Sequence, residues 1–382
     1  MGIKKIGLLM AAVAGLALAS AVARSTEVSV LATGLTGPVK MDLTRQGNLL
    51  VTEQGTANND GKLSRVNRNG AVQPLLTGLP SGIEVTGGPS GPQTPVVDKG
   101  CCVVMLTIGE GDMLRFDAAG PPGSQVPNPT GSVSPIFSSV LRLVFSKPLD
   151  QLAAPFALTR EDHDRLADGH TVQIGNAAGD RLWVRMVVDF KDARPDPFTN
   201  VRGSNPFHMI PAVHTDGLLV VDSGQNSLLH LGVGWPEVIV RFPRVAQPAG
   251  VVPPFSDAVP TAVRHFRDNK YLVSLLTGVP FQPGAASIRL VNAKTGTEST
   301  HIGSLTSVTD LLVIGNDIYA LEISANLGVG APGRLLRFRG KNGTPKEIAT
   351  GLIGGSGLAY DPKRNTIYIA ELFTGRILRV RP

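Results

Sequence analysis

TIYIAELFTGRILRV, residues 366–380, holds the unit from which most of this 382-residue chain is built. An apolar strand closes on an acidic residue, Glu371, the chain turns at Gly375, and a second strand carries a basic residue, Arg379, followed by Val380. Working back from it, the first half recurs as NLLVTEQG (48–55), CCVVMLTIGEG (101–111), GLLVVDSG (217–224), KYLVSLLTG (270–278) and DIYALEIS (317–324). The second half recurs around Arg65, Arg142, His230, Arg289 and Arg337. A third element, ATGL (32–35), LTGL (76–79), IGSL (302–305) and ATGL (349–352), precedes the next copy of the unit.

A unit of four short strands with a basic residue at a fixed place, spaced from Arg289 to Arg337 to Arg379, has the length of a propeller blade. Six copies in an all-β chain predict a six-bladed β-propeller. The chain ends on the third strand of its sixth unit, whereas residues 28–31 form a strand before the first. That early strand is expected to complete the last blade and remove the open edge.

Ahead of the repeats, Lys4 and Lys5 precede an apolar run (6–18) and small residues at 21–23, the order of a secretory signal peptide. Residues 1–23 are therefore read as a signal peptide, 24–382 as the propeller, and the mature protein as periplasmic or secreted. Cleavage removes two lysines, so the formal charge of +6 falls to about +4. Charges are dispersed, which argues against nucleic-acid binding, and no later segment is apolar enough to span a bilayer. A monomer without membrane contact after cleavage is expected. Cys101 and Cys102 are adjacent, and neighbouring side chains of a strand point to opposite faces, so they read as two buried apolar residues rather than a vicinal bridge.

The interval from Arg142 to His230 exceeds one blade. It carries a helix at 159–167 with Thr159 as N-cap, Asp162 at the third position and Gly169 at its end, then strands at 171–174 and 181–190. Residues 147–181 are read as a small helix-and-hairpin insertion, either a lid on one face or a structural decoration. Gly- and Pro-rich stretches at 87–95, 120–131 and 245–254 read as loops.

Acidic residues end the second strand at Glu53, Asp222, Glu322 and Glu371, with Glu110 near the equivalent place in another unit. They are read as cross-strand partners, Glu371 opposite Arg379 and Asp222 opposite His230. The residues opening the inner strands, Lys40, Ser90, Asn205, Thr261, Asp310 and Ser356, should ring the channel mouth. Of these, Asn205 and Asp310 offer the hard oxygens that suit calcium, although Lys40 stands where a further carboxylate would help. No other cofactor is expected. His208 lies near Asn205 and is the candidate general base.

SNPF (204–207) with VVDSGQNSLLHL (220–231), TGVPFQPGAASIRLV (277–291), and LEIS with PGRLLRF (321–338) resemble the ScyD/ScyE family of NHL/TolB-like propellers. The resemblance covers the mature chain, and its most specific piece is the VPFQPGA loop. It implies an exported propeller acting as a ligand- or protein-binding accessory factor, linked by the family's name to biosynthesis of the indole-derived pigment scytonemin. It carries over no catalytic residue, only Asn205 and the loop 278–284 as face residues. With Phe207, Phe281 and Ser356, these form the expected binding face for a small molecule or protein. In the alternative, Asn205 and Asp310 resemble the channel-mouth ligands of gluconolactonase-like propellers, which implies a divalent-metal-dependent lactonase or esterase with His208 or a bound water as base.

Overall fold

Six sheets of four or five antiparallel strands follow one another around a common axis in the computed structural model, which describes residues 27–98, 102–120, 123–196, 201–341 and 343–382. The inner strands, in blade order, are Pro38–Leu43, Pro92–Val97, Pro206–Pro211, Pro260–Arg267, Val308–Ile314 and Gly355–Asp361. The protein is a six-bladed β-propeller. The predicted early strand spans Val28–Ala32 and pairs antiparallel with Arg376–Val380, so blade six is closed by the chain's N-terminal segment. The signal-peptide residues and Cys101 lie outside the described residues. No described helix is long and apolar enough to cross a membrane.

The second strands are buried along almost their whole length because each sheet is covered on both faces by its neighbours. Leu49–Glu53, Asp317–Glu322 and Thr366–Glu371 are almost entirely buried. The core is accordingly divided into six clusters, one at each blade junction. Leu50 and Leu106 meet between blades one and two, and Val51 and Ala370 between six and one.

A hydroxyl from one blade donates to an inner-strand carbonyl of the next at every junction. Thr52 bonds Gln93 O at 2.5 Å, Thr94 bonds Phe207 O at 2.8 Å and Ser223 bonds Pro260 O at 2.5 Å. Thr261 bonds Val308 O at 2.7 Å, Thr309 bonds Gly355 O at 2.7 Å and Ser356 bonds Pro38 O at 2.8 Å, completing the circuit. These bonds satisfy carbonyls that face the axis, where no sheet partner exists. The last junction also needs Gly357, since a Cβ there would lie 2.3 Å from Val39 O.

Two expectations are corrected at the level of register. The tight turn at Gly375 sets Glu371 against Arg376, and Arg379 faces Tyr368. Likewise Asp222 faces Ser227, and His230 faces Leu219. The acidic side chains do more than pair across strands: each accepts the backbone N–H of the loop entering its own blade. Glu53 takes Thr36 N (2.6 Å), Asp222 takes Asn205 N (2.8 Å), Glu322 takes Thr306 N (2.8 Å) and Glu371 takes Ile353 N (2.8 Å). Arg334 and Arg376 complete Glu322 and Glu371.

The segment read as a loop at 87–95 is in part the inner strand of blade two, Pro92–Val97. The helix is Arg160–Ala167, with Thr159 and Asp162 forming a capping box. It lies at the outer edge of blades one and two. There Phe156–Ala157 pairs in parallel with blade one, Val172–Gly175 adds a fifth strand to blade two, and His163 contacts Gly78 O. Arg181–Asp189 is blade two's own fourth strand. Cys102 is disulfide-bonded rather than a free thiol, and no described cysteine is free.

Candidate functional site: a cavity on the loop face

Every inner strand opens with a β-bulge, and the bulge decides which residue faces the axis. Counting from these bulges, the equivalent residues are Val39, Gln93, Phe207, Thr261, Thr309 and Ser356. All six line one cavity of about 930 Å³ above the channel. Its wall comes from the loops that enter blades two, three and four and from those joining second to third strands. Three small ribbons stand around it: Gly82–Ile83 with Pro89–Ser90, Leu114–Phe116 with Gln125–Pro127, and Val245–Ala246 with Phe255–Ser256. Residues 147–181 do not line it.

The structure brings Asn205, Phe207, Phe281 and Ser356 together on this cavity. Ser356 spends its hydroxyl hydrogen on Pro38 O, leaving only acceptor capacity toward a ligand. Asp310 and His208 are placed differently. Each lies one residue farther along its strand than the bulged position, and neither lines the cavity.

These deeper residues form a charged chain across the axis. Lys40 Nζ is 3.2 Å from Asp310 Oδ2 and donates to Thr309 O (2.7 Å) and Ser356 O (3.0 Å). Arg264 reaches Asp310 Oδ1 at 3.1 Å and donates to His208 Nε2 at 2.5 Å. Leu311 N and Leu358 N also bond the carboxylate, at 2.8 and 2.9 Å. Asp310 is thus saturated by two cations and two amides. Burial and the charges of Arg264 and Lys40 push the His208 imidazole well below its ordinary value, so it stays neutral and accepts from Arg264. His208 is thereby committed to Arg264 below the cavity rather than presented to it. Burial lowers the Lys40 amine to about 8 despite the neighbouring Asp310.

The donor set proposed for calcium does not fit a cation here, because Asp310 is already neutralised and Asn205 belongs to the layer above. Among the described residues, no three His, Cys, Asp or Glu side chains are grouped to hold a metal.

Charged groups at the cavity wall are mostly engaged with one another. Arg202 pairs with Asp257 at 2.6 Å and donates to Gly224 O at 2.6 Å, and Arg244 pairs with Asp196 (3.2 Å) and Asp257 (3.3 Å). Sequence reasoning passed over this cluster, since its members come from separate loops of ordinary composition. Glu110 lies near the place of the strand-ending acids but not at it. The position equivalent to Glu53 and Glu371 in blade two is Ile108, and in blade four it is Leu275. Glu110 stands two residues beyond, on the cavity wall.

No protein-family model matches the chain, and no curated protein does. Among solved structures, it is similar to a putative oxidoreductase (glucose dehydrogenase) from Thermus thermophilus, at 13% identity and a TM-score of 0.48 over 93% of this chain and 99% of that one. It is also similar to a gluconolactonase from Xanthomonas campestris, at 10% identity and a TM-score of 0.46 over 93% and 89% of the two chains. The PQQ-bound form of aldose sugar dehydrogenase from Streptomyces coelicolor gives 12% identity and a TM-score of 0.43 over 93% and 98%. At these values the likeness concerns the fold.

Proposed function

We propose that this chain is an exported binding protein that holds a small ligand with a flat apolar body in the cavity on its loop face. The observation that carries this reading is the convergence of phenylalanines: four of the chain's 13, Phe116, Phe207, Phe255 and Phe281, line one cavity although they come from distant parts of the chain. Phe116 and Phe255 are half exposed, at 50% and 49%, so covering them with a ligand removes apolar surface from water. Phe207 forms part of the floor, with the Lys40 ammonium 5.2 Å from its ring centre. A planar indole-type precursor, as the ScyD/ScyE resemblance implies, is a ligand of this kind.

Titration with the neutral fluorescent probe N-phenyl-1-naphthylamine tests the reading. Phe207→Ala with Phe281→Ala should weaken binding by at least about tenfold, since a buried phenylalanine contributes roughly 1.5–3 kcal/mol. The thermal melt should stay near that of the unaltered protein. Unchanged probe affinity in the double variant overturns the proposal. Probe emission is the suitable signal, because neither Trp183 nor Trp235 lines the cavity.

A further inference from the structure

Four blades employ a carboxylate to pin an entering loop, and each of those carboxylates has a backbone N–H partner. Glu110 is different. Its backbone N–H contacts Asn205 Oδ1 at 3.4 Å, but its carboxyl group has no hydrogen-bond or ion-pair partner among the described residues. The nearby charges are spent: Arg202 is held by Asp257 and Gly224 O, and Glu84 accepts Thr86 N (2.7 Å) and Gly88 N (3.0 Å) within its own turn.

A second group points the same way. Gln93 is only 3% exposed and lines the cavity, yet its Oε1 has no partner. A buried amide oxygen without a donor costs about 1–3 kcal/mol, a cost that a ligand donor would remove. The Gln93 and Asn205 amides meet beside Glu110: a Cβ on Gly109 would lie 2.8 Å from both Gln93 Nε2 and Asn205 Oδ1, so only glycine leaves them that space. One end of a phenylalanine-lined cavity therefore presents an unpartnered carboxyl group and an unpartnered amide oxygen, with no cation committed to either.

We propose that the cavity selects an aromatic amine, whose N–H groups are held by the Glu110 carboxylate and Gln93 Oε1 while its ring system lies against Phe207. This rests on the cavity-binding reading above and names the ligand's chemistry. An ammonium supplies several charge-assisted donors to a carboxylate and an amide oxygen, whereas an alcohol supplies one and a carboxylate none. Burial, reinforced by the charges of Glu84 and Asp222 and opposed by Arg202, raises the Glu110 carboxyl to about 8. In the empty protein at pH 7 it is consequently protonated. An ammonium beside it favours the carboxylate, so binding should release up to one proton, and amine affinity should rise with pH from about 6 to 8.

Three probes of one shape test this by calorimetry at pH 7 on the mature protein: 2-(1-naphthyl)ethylamine, 2-(1-naphthyl)ethanol and 1-naphthaleneacetate. The amine should bind about tenfold or more tightly than the alcohol, with the anion weakest and with proton release visible in buffers of different ionisation enthalpy. Glu110→Gln should abolish both the preference and the proton release while leaving the melting temperature intact. Gln93→Leu should weaken the amine selectively. Equal or tighter binding of the alcohol or the anion, or an undiminished preference in Glu110→Gln, overturns the amine assignment and leaves the cavity reading standing. Failure of all three probes to bind overturns both.

Discussion

Asp310→Leu should destabilise the propeller by roughly 3–5 kcal/mol, the range for removing one member of a buried ionic network. The carboxylate is fully buried and receives Lys40, Arg264 and two backbone N–H groups. Its loss leaves the buried Lys40 ammonium and the largely buried Arg264 guanidinium without their countercharge. Lys40→Met should cost less, because Asp310 keeps Arg264 and both amides. Urea unfolding of the two variants gives the ordering, and a cost below about 1 kcal/mol for Asp310→Leu shows that the chain across the axis is not what holds the blades together.

The same network has a pH signature with a definite sign. Folding lowers the Lys40 amine from its ordinary 10.5 to about 8, so between those values the unfolded chain binds the proton that the folded one has released. Stability from this group therefore rises with pH across the window from about 8 to 10.5, and its penalty is fully present below about 8. Lys40→Met should flatten that rise in a series of melts, and a rise of equal size in the variant contradicts the assignment.

Deleting residues 27–34 should lower the melting temperature by about 10 °C or more and promote association. Val28, Ser29 and Val30 sit opposite Val380, Arg379 and Leu378, and Arg379 Nε donates to Ser29 Oγ at 2.9 Å. Ala32 is buried in the cluster between blades six and one. Without this strand, Arg376–Val380 becomes an unpaired edge and the junction loses part of its apolar cover. Scanning calorimetry with light scattering reads both effects; a truncated chain with the unaltered melt shows that the ring holds without the added strand.

Much of the architecture was legible because it depends on local pattern. A short apolar run ending in a turn forms a strand wherever it lies, and six such runs with recurring basic partners define the blades. The strand at Val28–Ala32 and the capped helix at Arg160–Ala167 follow from equally local signals. The grouping of the loop-face residues was legible in part: Asn205, Phe207, Phe281 and Ser356 stand on one cavity.

What the chain by itself determined is the number and kind of its strands, their order, and the apolar character that lets each sheet be covered on both faces. Tertiary structure alone decided which side chains meet at the axis. A bulge of one or two residues at the start of each inner strand moves Asp310 and His208 below the rim and turns Phe207, Thr309 and Ser356 toward it. It also decided that Lys40 neutralises Asp310, and that Glu110 and Gln93 are left with free acceptors. The reason is physical: strand formation responds to residues a few positions apart, whereas a facing direction depends on register with the next strand, and one added residue reverses it.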